Sequence, residues 1–195
     1  MADLITLDEY KLAEGLSDQK NDARIAIFIA SASQMVKTYC ARTFVDYFST
    51  EKTEVFNVEY DSDIIQLSEC PIIAITSVEE RQDYSSDYST LTTAAFEYYL
   101  DPNTDSILRT TTTGSKNWPI GPGAVKVVYT GGYSSIPEDL KLAVVDLVNY
   151  YYKKEYKPNK HIMSATITNS TSSSQWRNVG FPDHIKRVLD FYKHI

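Results

Sequence analysis

The three histidines are the residue type in this chain best suited to metal binding, and all lie in the C-terminal quarter. His161, His184 and His194 have no Cys, Asp or Glu at the spacing of metal ligands, so the pattern favours surface histidines over a metal site. Cys40 and Cys70 also lack metal-type spacing. We therefore expect no metal, no cofactor and two reduced structural thiols.

One acidic run imitates a calcium-binding loop. Asp101, Asn103 and Asp105 match its first three liganding positions. The loop also needs a glycine and a final glutamate, but Ser106 and Thr112 stand at those two positions. The run is flanked by β-prone residues, so we predict a hairpin turn.

The remaining catalytic signals are weak. Residues 114–116, Gly-Ser-Lys, lack the preceding glycine and the following Ser or Thr of a phosphate-binding loop, and no Gly-x-Ser-x-Gly sequence occurs. Paired acids occur at Asp61 with Asp63 and at Glu79 with Glu80, at predicted strand ends and turns where solvated charge is ordinary. The sequence predicts no catalytic residue and a protein that is not an enzyme.

Composition narrows the choice of partners. The formal charge of -7 and the pI near 5.0 argue against a protein that grips nucleic acid, because neutralising phosphates takes clustered Lys and Arg. No run of apolar residues is long enough for a membrane span, and the N-terminus lacks the regions of a signal peptide. We expect a soluble protein made in the cytoplasm. Fifteen tyrosines are typical of protein contact surfaces, although strands could also use them.

Helices are predicted at the start of the chain. Thr6 begins a capping-box sequence, and Gly15 ends the short helix that follows. A longer helix starts at Ser17 or Asp18, places its apolar residues on one face, and ends near Arg42.

From residue 44 to residue 129 the apolar period changes from helical to two. Asp, Asn, Ser, Gly and Pro clusters separate the apolar runs, so we predict antiparallel strands. The candidate strands are 53–60, 64–67, 72–80, 96–100, 106–110 and 124–130.

A helix after Pro137 carries two apolar rows. The first row is expected to pack on the rest of the chain. The second row consists of Leu142, Val145, Asn149 and Tyr152, with Tyr156 beyond them. A helix with one solvent-exposed side needs only one apolar row. The second row therefore predicts either deep burial or a subunit contact.

The C-terminal part is a polar arm, with Ser, Thr and Asn over 164–174, and a last helix that opens at Pro182. The predicted organisation is residues 1–43 as N-terminal helices, 44–133 as an inserted β region, 134–158 as the central helix and 159–195 as the arm and terminal helix, forming one domain overall. The predicted fold class is α+β, mainly an α-helical bundle of N- and C-terminal helices with an inserted antiparallel β region.

The order of several runs resembles the head-tail connector family of tailed bacteriophages, the adaptor or head-completion proteins beneath the portal. These runs are YCARTF at 39–44, CPIIAITSV at 70–78, Trp118, and VVYTGGYSSIPEDLKLAVVDLV at 127–148. The resemblance covers residues 4–152. One departure is Ala41, where a glycine or similar small turn residue is expected.

This resemblance implies a structural virion protein in the neck, assembled in the host cytoplasm, without a membrane partner. It implies a ring of identical subunits, usually twelve, that docks on the portal, meets a downstream neck or tail protein, and lets DNA pass without sequence-specific binding. The second row of the Pro137 helix would then be a ring interface. The terminal segment would dock on the portal, with Trp176, Phe181, Ile185, Leu189 and Tyr192 as candidate contacts.

Two alternatives stay open. The chain could be another neck or tail protein, such as a stopper or tail terminator. It could also be a carbohydrate-binding or hydrolytic module with helical flanks. A sugar binder should expose aromatic side chains beside paired carboxylates in a cleft, whereas an adaptor should place them on subunit faces.

Overall fold

The computed structural model describes residues 2–153 and 181–193. It divides into two compact units. The sheet unit is Arg42–Ser135 together with Ala2, and the helix unit comprises Asp3–Ala41 and the described residues from 136 onward. No helix within the described ranges is long and apolar enough to cross a membrane. The predicted polar arm and Trp176 lie outside the described residues.

The helix unit consists, in the described residues, of four helices: α1 (Leu7–Glu14), α2 (Asp22–Cys40), α3 (Glu138–Tyr152) and α4 (Asp183–Tyr192). Sequence predicted the start and end of α1 correctly. Thr6 Oγ1 accepts from the Glu9 amide while the Glu9 carboxylate accepts from the Thr6 amide, and Gly15 ends the helix in the left-handed region. Pro137 and Pro182 immediately precede α3 and α4, which is where proline is tolerated because no intrahelical donor is lost.

The core of the helix unit forms where α3 packs against α2 and α4. The first apolar row of α3 is buried as predicted. The buried side chains are Leu140, Ala143, Val144, Leu147 and Val148 of α3, Ile25, Ile29, Ala32 and Val36 of α2, and Ile185 and Leu189 of α4. Each such side chain contributes about 1.5–3 kcal/mol by leaving water, so this three-helix contact supplies most of the unit's stability.

Ala41 adopts the backbone conformation for which a glycine is expected at this position. It follows α2 with φ of 55°, in the left-handed region that favours glycine, and its amide bonds to the last turn of the helix. The chain therefore uses the backbone conformation of a glycine cap with an alanine, at a cost of about 1 kcal/mol.

The sheet unit contains eight strands across the residues that the structure describes: β1 (Lys52–Val58), β2 (Ile64–Gln66), β3 (Ile72–Glu80), β4 (Ser89–Leu91), β5 (Tyr98–Asp101), β6 (Ser106–Thr111), β7 (Gly114–Ser115) and β8 (Gly121–Gly131). One antiparallel sheet has the order β1-β8-β3-β4, and the other has the order β2-β6-β5. The short β7 pairs with β6. The predicted hairpin is confirmed, because β5 and β6 pair with Asp101 opposite Ser106.

The central strand β8 pairs with β1 on one side and β3 on the other. Its alternate residues Val125, Val127 and Tyr129 are fully buried, as period two predicts. They contribute to one cluster with Trp118 and with apolar side chains of both sheets. A buried ion pair also links the sheets, since Arg109 of β6 bonds both oxygens of Glu80 of β3 at 2.8 and 2.9 Å.

The prediction of a mainly α-helical bundle is wrong. Within the described ranges the chain forms two antiparallel sheets with their own hydrophobic core and only four helices, so the β region is a unit in its own right. Two strands were missed, β4 and β7, and both are too short to carry a period. Each pairs with the strand just before it in the chain, β4 with β3 and β7 with β6, through only two or three residues.

The chain enters and leaves the sheet unit through one close contact. The amide of Tyr133 donates to the carbonyl of Phe44 at 2.7 Å, and the amide of Gly132 donates to the carbonyl of Pro71 at 2.9 Å. Gly132 has φ of 102°, and a Cβ there would lie 2.3 Å from the Phe44 carbonyl oxygen. A Cβ at Gly131 would lie 2.6 Å from the Glu69 carbonyl oxygen. Only glycine fits at this joint.

Gly132→Ala tests this contact. The new methyl group meets backbone in a conformation that alanine disfavours, so we expect a loss of about 3 kcal/mol or more in the free energy of unfolding. Gly15→Ala is the matched control, because Gly15 also has positive φ but nothing lies within 4 Å of its Cβ position. It should cost only about 1 kcal/mol. Equal midpoints for the two variants in urea denaturation would contradict the steric explanation.

Candidate functional site

The sheet unit contains one polar cluster with the residue types of a catalytic site. Lys52 Nζ lies 2.7 Å from Glu54 Oε1 and 3.3 Å from Glu69 Oε1. Tyr129 donates its hydroxyl hydrogen to Glu54 and accepts from the Glu69 amide, each at 3.0 Å. Ser68 bonds to both Lys52 and Glu54. Every group in the cluster is bonded to another member, so the arrangement stabilises the fold.

The pKa values in this cluster agree with a structural role. Burial by itself raises the pKa of Glu54, but hydrogen bonds from Lys52 and Ser68 outweigh burial and leave that pKa below its ordinary value. Burial raises the pKa of Tyr129. Glu54 is thus held ionised and Tyr129 held neutral, and neither is poised to exchange a proton near neutral pH.

Two of the acids singled out by sequence, Glu79 and Glu80, are also in ion pairs. Glu79 lies 2.5 Å from Lys126, and Glu80 belongs to the ion pair with Arg109. In the described part of the chain no group of three or more His, Cys, Asp or Glu side chains could hold a metal ion. His184 lies 3.8 Å from Asp146.

Other helices of the same unit cover much of the second row of α3, which the sequence pattern could not show. Val145 is buried. Asn149 accepts from the Tyr10 hydroxyl at 2.7 Å and donates to Glu14 at 2.6 Å. Tyr152 packs edge-on against Phe28, and Arg24 stacks on its ring. A contact of these residues with a neighbouring subunit stays a prediction.

Leu142 differs from the other three, because 62% of its surface is exposed. It lies in a groove of about 410 Å³ between α1 and α3, which we call the α1–α3 groove. The groove is lined by Ile5, Glu9, Leu12, Ala13, Glu138, Lys141, Leu142 and Val145. Lys141 lies 3.0 Å from Glu9 and 3.0 Å from Glu138, so the charges of the groove pair with one another.

The candidate residues for portal docking also differ in burial, since some are buried in the core and others are partly exposed. Ile185 and Leu189 are buried in the helix unit. Tyr192 donates to Asp139 at 2.7 Å, and Phe181 packs edge-on against Tyr39 at a centroid distance of 5.1 Å. These contacts hold α4 on the unit, and a role in docking stays a prediction.

The exposed apolar residues that sequence reasoning missed include one on α2 and one on α4. Phe191 of α4 is 87% exposed and Ile27 of α2 is 67% exposed. Both lie off the apolar face that packs each helix on its unit, so a helical projection could have found them.

An open aromatic groove of about 510 Å³ lies on the sheet unit. Its lining residues are Ile75, Thr93, Phe96, Tyr98, Tyr99, Leu100, Thr110 and Thr111. This lining has no carboxylate. The groove therefore fails the criterion set above for a sugar-binding or hydrolytic cleft, which requires paired acids beside the aromatic side chains.

Comparisons with known proteins agree on one class. The family model described as head completion protein matches residues 3–195. A head completion protein of Escherichia phage T5 is 35% identical over 74 residues, which span 37% of this chain and 41% of that protein.

Solved structures with the same fold come from gene transfer agent (GTA) particles. A chain in the neck of the empty particle, computed with C6 symmetry, aligns with a TM-score of 0.58 and 15% identity over 98% of this chain and 90% of that chain. A chain in the neck of the native particle, computed with C12 symmetry, gives 0.53 and 15% over 100% and 94%. The TM-scores show a similar fold, and at 15% identity the likeness extends to the fold alone.

Substitutions at Asn149 and Leu142 test whether these two α3 side chains differ in their contacts within the folded unit. Asn149→Ala removes two partly buried hydrogen bonds, one to Tyr10 and one to Glu14, so we expect a loss of about 1–3 kcal/mol in the free energy of unfolding. Leu142→Glu changes an exposed side chain and should alter it by less than about 0.5 kcal/mol. Thermal unfolding of both variants in dilute solution checks this. A larger loss for Leu142→Glu would mean that Leu142 belongs to the folded core.

Proposed function

The chain belongs to the head completion protein family, whose model matches residues 3–195, and we propose that it is a structural protein linking the capsid of a tailed phage to its tail. The resemblance to this family found in the sequence is confirmed by that match. The match over almost the whole chain is the observation that carries the proposal. The relative in phage T5 supports it over a shorter segment.

In this role, identical copies form a ring beneath the portal, with twelve subunits. Similarity of fold to chains from particle necks that were computed with C6 and C12 symmetry supports a cyclic assembly. In a ring, each subunit presents two different surfaces to its two neighbours. The helix unit offers more than one exposed apolar surface, at Leu142 and at Ile27, as such an arrangement requires.

The acidic character of the chain fits a passage for DNA. With a net charge of -7, the ring repels the phosphate backbone, so DNA traverses the channel without sequence-specific binding. A downstream neck or tail protein receives the DNA from the ring.

The protein has no enzymatic role in this proposal. The polar clusters of the sheet unit support this view, since Lys52, Glu54 and Glu69 bond to one another and Glu80 bonds to Arg109. Side chains that are engaged in such internal ion pairs do not also activate a nucleophile.

The terminal helix α4 contacts the portal. Phe191 supports this assignment, because a large aromatic side chain exposed on a helix end is typical of an anchor at a protein interface. Tyr192 follows Phe191 directly, and Phe181 lies just before the start of the helix. Ile185 and Leu189 hold the helix on its unit and present Phe191 outward.

Electron microscopy of the chain mixed with its portal tests the proposed function. We expect a ring of twelve copies on the tail-proximal face of the portal, coaxial with the channel. A chain that ignores the portal and binds only a preassembled neck or tail tube would be a stopper or tail terminator. A chain that binds none of these assemblies would contradict the connector role.

Phe191→Ser tests docking through α4. Loss of an exposed aromatic anchor should weaken co-purification with the portal at least about tenfold, while circular dichroism stays unchanged. Truncation is a poorer test, because it would remove Ile185 and Leu189 from the core. Tyr84→Ser, an exposed aromatic residue of the sheet unit, is the control and should bind normally. Equal binding by both variants would rule out the assignment to Phe191.

A further inference from the structure

The outward side of α2 carries no charge along its central turns. Ala23, Ile27, Ser31 and Met35 follow one another at four-residue spacing and are all exposed, so they form a single ridge on the helix surface. We call these four residues the α2 ridge. Ala26 and Ala30 lie beside the ridge and are exposed as well.

The polar side chains of this face are satisfied within the helix. Ser31 Oγ donates to the carbonyl of Ile27 at 2.8 Å, and Gln34 Nε2 donates to Thr38 Oγ1 at 3.2 Å. The ridge therefore can be covered by another protein surface without stranding a hydroxyl donor. A surface with these properties is typical of the centre of an interface, which is depleted of charged residues.

The other helices of the unit provide an internal comparison. Their exposed positions carry charges, including Asp8 of α1, Glu138 and Asp139 of α3, and Lys186 and Arg187 of α4. An ordinary water-facing helix in this protein is thus charged. The α2 ridge departs from that rule over a length of about 18 Å, from Ala23 to Met35.

The α1–α3 groove has the complementary shape. It is concave and apolar at Leu12, Ala13 and Leu142, and none of its lining residues belongs to α2, so ridge and groove are separate surfaces. The three charged residues at the groove form two ion pairs among themselves. Each carboxylate at the groove therefore lies against Lys141, and the four residues of the α2 ridge carry no charge.

We propose that the α2 ridge of one copy docks in the α1–α3 groove of the next copy in the ring. This inference rests on the proposed function and names the contact that builds it. Copies that each carry a charge of -7 repel one another, so they associate best through the surfaces where charge is absent or already paired. A ridge and a groove on one unit are different surfaces, and repeating this contact gives the head-to-tail interface of a ring.

Cysteine cross-linking on the portal tests the pairing. Ile27→Cys and Leu142→Cys are combined in one chain, rings are assembled on the portal, and a short bismaleimide is added. Native Cys40 and Cys70 are buried, and burial raises the pKa of Cys70 to about 11, so both should react slowly. We expect a ladder of covalent multimers on a denaturing gel, at least about tenfold stronger than for either single variant.

The control pairs Leu142→Cys with Tyr84→Cys, an exposed position of the sheet unit that belongs to none of the proposed contacts. It should give no ladder. Dimers from Ile27→Cys alone would reveal a two-fold contact between ridges and overturn the proposal. Normal rings without a ladder from the double variant would overturn it while leaving the connector role intact. Failure of the native chain to form any ring on the portal would overturn both.

Discussion

The sheet unit depends on one steric constraint, the passage of Gly131 and Gly132 against the backbone of Phe44 and Glu69. Backbone atoms meet there with no room for a methyl group, so the two ends of the unit are fixed to each other. Gly131 ends β8, and β8 pairs with both β1 and β3. Fixing the end of β8 therefore fixes the register of the sheet on both sides, and a slip of one residue would turn Val125 and Val127 to solvent.

The polar residues of the sheet unit are directed inward. Glu69 accepts from the Thr43 amide and the Lys52 ammonium, which ties the joint to β1. Glu80 and Arg109 connect the two sheets, and Arg109 also donates to the carbonyl of Thr110. Removing one member of a buried pair costs about 3–5 kcal/mol, so these groups are needed for stability. Because these acidic and basic side chains stabilise the fold, their arrangement suits a protein with a structural role.

The helix unit, like the sheet unit, leaves apolar side chains exposed. Its interior is an ordinary apolar core, but Ile27 and Leu142 remain outside it. Burying either side chain in a contact between copies would contribute about 1.5–3 kcal/mol to the free energy of association. These two residues therefore support an argument for assembly. Both units therefore have a core of their own and also keep apolar side chains at the surface, and in the proposed assembly those of the helix unit meet the neighbouring copies.

The sequence by itself determined what local chemistry decides. Thr6 with Glu9 fixed the start of α1, proline marked the starts of α3 and α4, and period two marked the central strand β8. The ordered runs around the joint were enough to indicate the family. Each of these signals depends on residues close together in the chain.

Only the tertiary structure decided how much of the chain is sheet and which side chains remain exposed. Two separate antiparallel sheets form where a helical bundle was expected, and the second row of α3 is partly covered by α1 and α2. Periodicity reports that a side chain will be buried, but it cannot say whether the covering surface comes from the same chain or from another copy. The distinction between Val145, which is buried, and Leu142, which is exposed, arises from the position of α1, a long-range property of the fold.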